Sequence, residues 1–510
     1  MRPVVQEGEE EDLVFVHISR PDDLKAKGTR RTIRRHAMRE IGKSRRSRKR
    51  PQTWELSLKD GILDDDRSST SSSHDELAPY SSRKPIVFDP YNASYYPIPL
   101  DDRIKQLIHF MSADSDYVFR PFRAIWFSMA MTDASAFLVS LANAAMFLDQ
   151  IHQRKAYQYE KSVECLTFYG KCVKEVTRRL ENSNDRVSAG VITTILGLIC
   201  HELYVGTLAR SRAHLAGVQR IIQVRGGYDG LHETIPLFVP WFDVITSVVE
   251  DLSPRFAGFD PDVIKLFDSE SDQIYSAPFL RYLVSDIALH HPVFEDVCTA
   301  FEKVAIGVTY LNDNAHQPPG YWKNEESILA IKLFGPVTHF LLSMDRPVYS
   351  TPTTGRSTKD EPPSNDDGKE VNTAKSAELT KEMIRLSILI MLATIKNDKF
   401  QLAAREATFL REKLSTVIDR LRDIQSASTS LWKVQLWALV IVSLVEMSDP
   451  ISVPGETGYI NDICRLMELL CMMTGREAVG LVKDILWVNS IWDSVTVDDL
   501  VAQIDGHLYS

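Results

Sequence analysis

The sequence predicts an all-α fold: a large multi-helix bundle or array that carries a disordered basic N-terminal arm. Three observations predict it. From Leu100 onward, apolar residues recur at the 3.6-residue spacing of amphipathic helices. No run of short alternating strands joined by hairpin turns follows residue 100. Finally, Lys25 to Arg50 holds 13 Lys and Arg against one acid, Glu40. That block is +12 in a chain of net charge −10, which leaves −22 for the rest. Such a split points to an arm that meets a polyanion or an import receptor, attached to an acidic body.

Size and composition set the frame. A chain of 510 residues suffices for one large domain or two or three ordinary ones. Hydrophobic residues at 44% and charged residues at 25% are those of a soluble globular protein. The cysteines are Cys165, Cys172, Cys200, Cys298, Cys464 and Cys471. None forms a CxxC pair, and most sit in apolar surroundings, which predicts buried thiols in a reducing compartment. The N-terminus is acidic and lacks an apolar core, so it is not read as a secretory signal. Leu436 to Val445 is half the length of a membrane span and predicts a buried core helix. These readings predict the cytosol or the nucleus and no membrane.

Taken in order, residues 12–20 read as a strand or an extended docking segment. In the arm, Ile33, Ala37, Met38 and Ile41 form a narrow apolar stripe at helical period, flanked by Arg30, Arg31, Arg34, Arg35 and Arg39. Like charges at i,i+4 repel, so this helix is predicted to order only on a partner. Lys43, Arg45, Arg46, Arg48, Lys49 and Arg50 continue as flexible chain and fit a compact nuclear import signal. The arm as a whole therefore predicts import, nucleic-acid contact or both. It has no interleaved aromatic residue for bases to stack on, which argues against single-strand binding. Residues 1–60 are assigned to the arm. Residues 61–95 form a Ser/Pro-rich linker and strap, and 96–510 the helical body.

Within the body, helices are predicted at 101–113, 121–148, 156–181, 187–205 and 207–225. They continue near 236–252, 276–288, 293–310 and 323–346. Residues 349–375 are rich in Pro, Ser, Thr and Asp and predict a disordered insertion. Helices resume at 377–397, 400–425, 428–447, 459–474 and 476–492. Trp432, Trp437, Trp487 and Trp492 sit at helical spacing among aliphatic residues and predict core anchors. The pairs Cys165/Cys172 and Cys464/Cys471 are each seven apart, predicting buried core thiols on helices rather than metal ligands. His290-His291 reads as an exposed helix end.

Catalytic signatures are missing at the level of sequence. No GxxxxGK[ST], GxGxxG or GxSxG is present, and His201-Glu202 lacks the second histidine of a zinc protease, because Val205 stands there. The chain is therefore predicted not to be an enzyme and to need no cofactor or metal.

Two stretches together carry a resemblance. One is the arm, with Phe15 to Pro21 followed by Arg31 to Met38. The other is in the body: Ala136 to Leu148, a long helix at Ala156 to Leu180, then Val191 to Gly206. It closes with His214-Leu215-Ala216-Gly217 and Arg225-Gly226-Gly227. This order resembles the fungal-specific transcription factor domain, the helical regulatory region that normally follows a binuclear zinc cluster. Ile485-Leu486-Trp487 looks like the end of such regions, so the likeness spans most of residues 90–495. The resemblance implies a nuclear transcriptional regulator whose partners are the transcription machinery or another regulator. A zinc cluster needs six closely spaced cysteines, and here none precedes Cys165. The alternative is a protein-binding scaffold or co-regulator that never touches DNA. His214, Gly217, Arg225, Gly226 and Gly227 are read as structural, with Gly226 suited to a left-handed helix cap. Target genes, effector and oligomeric state are not written in the sequence.

Overall fold

Helices and short 3-10 turns are the only regular elements among the described residues. The computed structural model describes residues 96–113, 126–260, 277–322, 328–347, 365–400, 406–422, 428–448 and 458–509. The arm, the linker and the strap, residues 1–95, fall outside them. The chain divides into two compact units. Of the described residues, unit 1 takes those up to 113, Trp126–His201 and Arg220–His232; unit 2 takes Glu202–Gln219 and those from Glu233 onward.

Unit 1 is organised around a buried apolar helix. α1 (Asp102–Ala113) starts where Asp101 accepts the Ile104 amide at 2.7 Å. α2 (Ala134–Gln153) starts at Asp133, whose carboxylate accepts the amides of Ser135 and Ala136. That cap divides what the apolar pattern predicted as one helix from 121 to 148, leaving a separate helical turn at 126–130. α2 is buried almost continuously from Ser135 to Phe147 and packs on α1 and α3 (Val163–Glu181). Tyr96, the first residue of the predicted helical body, is 8% exposed with its ring 5.5 Å from that of Phe137. α4 (Ala189–Val205) and the C-terminal end of α5 (Leu208–Arg225) complete the unit.

Unit 2 contains α6 (Ile235–Val248), α7 (Pro278–His290), α8 (Glu295–Asp313), the single turn α9 (Pro319–Trp322) and α10 (Leu329–Ser343). It continues with α11 (Asn365–Phe400), α12 (Glu406–Leu421), α13 (Thr429–Met447), α14 (Ile460–Leu469), α15 (Gly475–Ile485) and α16 (Ser494–Leu508). α13 is its axis: every residue from Val434 to Val445 is buried, and α7, α11, α14, α15 and α16 all pack on it. By length and composition α2 and α13 could each cross a membrane, yet both are mostly buried within their own units. They read as core helices.

Several expectations change. α11 begins at Asn365, inside the stretch 349–375 that composition marked as disordered. Once the apolar part of α11 is packed, extending a helix adds one hydrogen bond per residue with no new nucleus. The helix expected over 476–492 stops at Ile485, where Leu486 turns extended and its carbonyl accepts Trp437 Nε1–H at 2.9 Å. α16 was not expected at all, although Asp493 caps it by accepting the Thr496 amide at 2.6 Å. Trp437 is fully buried and Trp487 and Trp492 nearly so, but Trp432 is only half-buried. Cys165, Cys172, Cys298 and Cys464 are buried, Cys200 is partly so, and Cys471 is exposed beyond the end of α14.

Trp437 joins three elements of unit 2, since its ring also meets Phe301 of α8 edge-on at 4.8 Å. Trp437→Ala should therefore cost unit 2 about 3–5 kcal/mol. Denaturant unfolding followed by circular dichroism checks this; an unchanged midpoint would remove α13 from its central role.

Candidate functional site

Among the described residues, four helices end in the same backbone arrangement, and two of these ends position charge. At the end of α5 the Gly227 amide donates to the Ile222 carbonyl at 3.0 Å, and the Gly226 amide to Gln223 at 3.2 Å. Gly226 has φ +87°. This is the Schellman closure, whose left-handed residue favours glycine. Arg225 braces the turn, donating to the carbonyls of Val187 at 2.9 Å and Asp229 at 2.7 Å. α4 closes in the same way through Gly206, with φ +81°. His214 is half-buried and Gly217 buried on α5. Burial, with Arg210 nearby, lowers the His214 pKa. The helix sets His214 roughly 16 Å along its axis from Arg225, at 1.5 Å per residue. These motif residues do not converge on one point. The basic residues of the arm, from Arg30 to Arg50, lie outside the described residues.

α6 and α14 use the same closure without glycine. Asp251 (φ 50°) and Cys471 (φ 54°) hold the left-handed positions. Leu252 donates back to Ser247, and Met472 to Met467, each at 2.9 Å. A non-glycine residue there is strained by about 1 kcal/mol or more. For Asp251 the compensation is electrostatic. Arg385 of α11 donates to both of its oxygens, at 2.8 and 2.7 Å. Lys413 of α12 pairs with it, and Arg346 lies at 3.3 Å. Glu382 takes a second bidentate pair from Arg385, at 2.7 and 2.9 Å, and pairs with Lys413 at 2.8 Å. The side chains of Asp251, Glu382 and Arg385 are each 1% exposed. Burial alone would raise the Asp251 pKa, but hydrogen bonds and charge from Arg385 and Lys413 outweigh it and hold the value down to about 2. The same balance lowers Glu382 and raises Arg385.

Unit 1 holds a smaller network. Arg179 of α3 donates to Asp133 at 2.6 Å, to Ser135 at 2.8 Å and to both oxygens of Asp185, at 2.7 and 2.9 Å. Gly190 lies directly against it: a Cβ there would overlap Asp133 Oδ2 and sit 2.9 Å from Arg179 Nη2. Elsewhere in unit 1, buried His201 is fixed by Asn143 at 2.7 Å and Tyr159 at 2.9 Å, and its ring stacks on Tyr169. In unit 2 the adjacent Glu202 pairs with Arg210 at 3.6 Å. Among the described residues no group of three or more His, Cys, Asp or Glu could hold a metal ion.

An open hollow lies on unit 2. Its walls are Ile418 and Leu421 of α12, Trp432 and Leu439 of α13, and Leu466 and Leu469 of α14. Its volume is about 80 Å³. Arg422 and Arg465 stand at its lip. Arg422 is matched by Asp462 and Asp419, each at 2.7 Å. Arg465, half-buried, donates to the Arg422 carbonyl at 3.0 Å. No carboxylate among the described residues forms an ion pair with it. Sequence reading missed the hollow because helical spacing puts Trp432 in the core; the one available signal was Arg465 among Ile463, Cys464, Leu466 and Met467.

Residues 104–275 match the family model of the fungal specific transcription factor domain. The resemblance read from sequence is thus shown over that stretch. The domain match takes in Gly206, Gly226 and Asp251, and it ends before the hollow. It is narrower than the span of 90–495 that the motifs implied, and Ile485-Leu486-Trp487 lies outside it. The domain suggests transcriptional regulation, and its family is not one of enzymes. No curated protein and no solved structure matches the chain.

The buried charge and the close approach at Gly190 can each be tested. Asn tolerates the left-handed region, so Asp251→Asn isolates the charge from the backbone. It strands Arg385 and Lys413 and should cost about 3–5 kcal/mol. Because the folded pKa of Asp251 lies below the ordinary 3.8, its contribution is present above pH ~4 and lost as pH falls toward ~2. An acid titration of the wild type should show that loss, and Asp251→Asn should show less of it; equal pH slopes would refute the network's role. Separately, Gly190→Ala should destabilise by more than the ~1–3 kcal/mol of an ordinary overpacked site. A wild-type melting temperature for that variant would contradict the close approach.

Proposed function

We propose that the chain is a nuclear transcriptional regulator of the fungal-specific transcription factor type that works without a zinc cluster. The match over residues 104–275 carries this reading. The helical body serves as an interaction module, and its contacts are with the transcription machinery or another regulator. Arg30, Arg31, Arg34, Arg35, Arg39 and the run from Lys43 to Arg50 serve nuclear import and contact phosphates. The support is compositional: 13 cations in 26 residues form an electrostatic footprint. No catalytic role is assigned.

A second reading is favoured by the cysteines. With none before Cys165, the sequence lacks the compact thiolate array that would read DNA bases. The chain would then be a co-regulator that reaches DNA only through another protein.

Deleting residues 25–50 should abolish nuclear accumulation of a fluorescent fusion, and an unchanged nuclear signal would remove the import role. A gel-shift titration separates the two readings. Direct contact predicts retardation at low salt, with log affinity falling against log salt by roughly 0.9 per phosphate contacted. No retardation of any duplex at low salt would leave the co-regulator.

A further inference from the structure

The hollow on unit 2 has the wrong size for a metabolite and the right size for one side chain. Small-molecule pockets run to about 300–1,000 Å³, against about 80 Å³ here. A cavity of ~150 Å³ holds benzene, so this one admits a single branched aliphatic group. Its lining is mostly apolar, with Gln435 and Asp462 among it, and its walls are helix faces: Trp432 and Leu439 are seven apart on α13, as are Asp462 and Leu469 on α14. Leu469 remains 40% exposed.

Charge identifies the occupant. Arg422 is already neutralised by Asp419 and Asp462. Arg465 is not: it donates to a backbone carbonyl, and no carboxylate among the described residues pairs with it. A half-buried guanidinium with spare donors favours a carboxylate, which it can take in a bidentate grip. The lip therefore asks for an acid within reach of the apolar group that fills the cup.

We propose that this hollow is the docking site for an acidic amphipathic peptide segment of a partner protein, with a Leu-sized side chain in the cup and a neighbouring Asp or Glu on Arg465. The proposal rests on the reading of the helical body as an interaction module and supplies the chemistry of its partner. A peptide meets the size limit because only its anchor enters, while its backbone and flanking residues lie along α13 and α14. A basic segment would place its charge against Arg465 and be repelled.

Fluorescence anisotropy with the full chain tests this. The probes are two fluorescein-labelled amphipathic peptides that share Leu anchors, one with Glu on its polar face and one with Lys. The Glu peptide should bind, the Lys peptide at least tenfold more weakly, and added salt should narrow the gap. Arg465→Glu should weaken the Glu peptide at least tenfold, and Arg465→Lys should restore most of it. Trp432→Ala should weaken both peptides. Equal binding of the two peptides, no binding of either, or indifference to Arg465→Glu would overturn the proposal. Displacement of the peptide by octanoate at matched concentration would also overturn it, in favour of a small carboxylate ligand. The peptide comparison needs no variant, so a misfolded Arg465→Glu leaves the proposal exposed to test. A negative result with nuclear accumulation intact would remove the acidic partner and leave the regulator standing.

Discussion

A carboxylate at the left-handed end of α6 is the constraint on which unit 2 turns. Asp251 lies where a glycine would cost nothing in backbone strain. Its side chain is instead the point where α6, α10, α11 and α12 meet, through Arg346, Arg385, Lys413 and, at one remove, Glu382. Buried ion pairs seldom add net stability over an apolar core, because each ion loses its hydration. Their effect is on specificity: any other arrangement of these helices would leave at least one charge unmatched in a dry interior, at a cost of several kcal/mol.

Unit 1 solves a like problem with less charge and tighter space. Arg179 joins α3 to the N-terminus of α2 and to the turn before α4, and its partners Asp133 and Ser135 also cap α2. One aspartate thus satisfies helix-end amides and a guanidinium at once. The geometry works only because α4 begins with a residue that has no side chain at position 190. A helical surface holds its shape only when the helices beneath it have one register.

What could be read from the sequence follows from how local its physical cause is. Helices α1, α3 to α8 and α13 were legible because apolar periodicity is written within each segment. Gly226 was legible as a cap because a glycine after a helical run has a local cause. Asp251 was not, since its partner Arg385 is 134 residues away. The split at Asp133 was written in an Asp-x-Ser cap but was overridden by the apolar run around it. α16 carried a capping aspartate and apolar residues at Val497, Leu500, Val501 and Ile504, so its omission was a misreading rather than a lack of signal. The exposure of Cys471 had no local signature, because a cysteine in the left-handed cap looks like one more turn of α14.

The family match and the hollow report on different kinds of information. Gly206, Gly226 and Gly227, within the matched stretch, answer to backbone geometry: each has positive φ, where a residue with a side chain is strained. Residues of this kind recur wherever helices must stop and turn in the same order, whatever the surface does. Arg465, Trp432 and Leu469 answer to no such demand. A lysine or glutamate at 465 would leave α14 a helix, and an alanine at 469 would leave its end capped. Their identities are free to follow a partner, and they lie beyond residue 275. Resemblance in the helical frame therefore leaves open what the surface side chains beyond residue 275 do, because the frame does not constrain them.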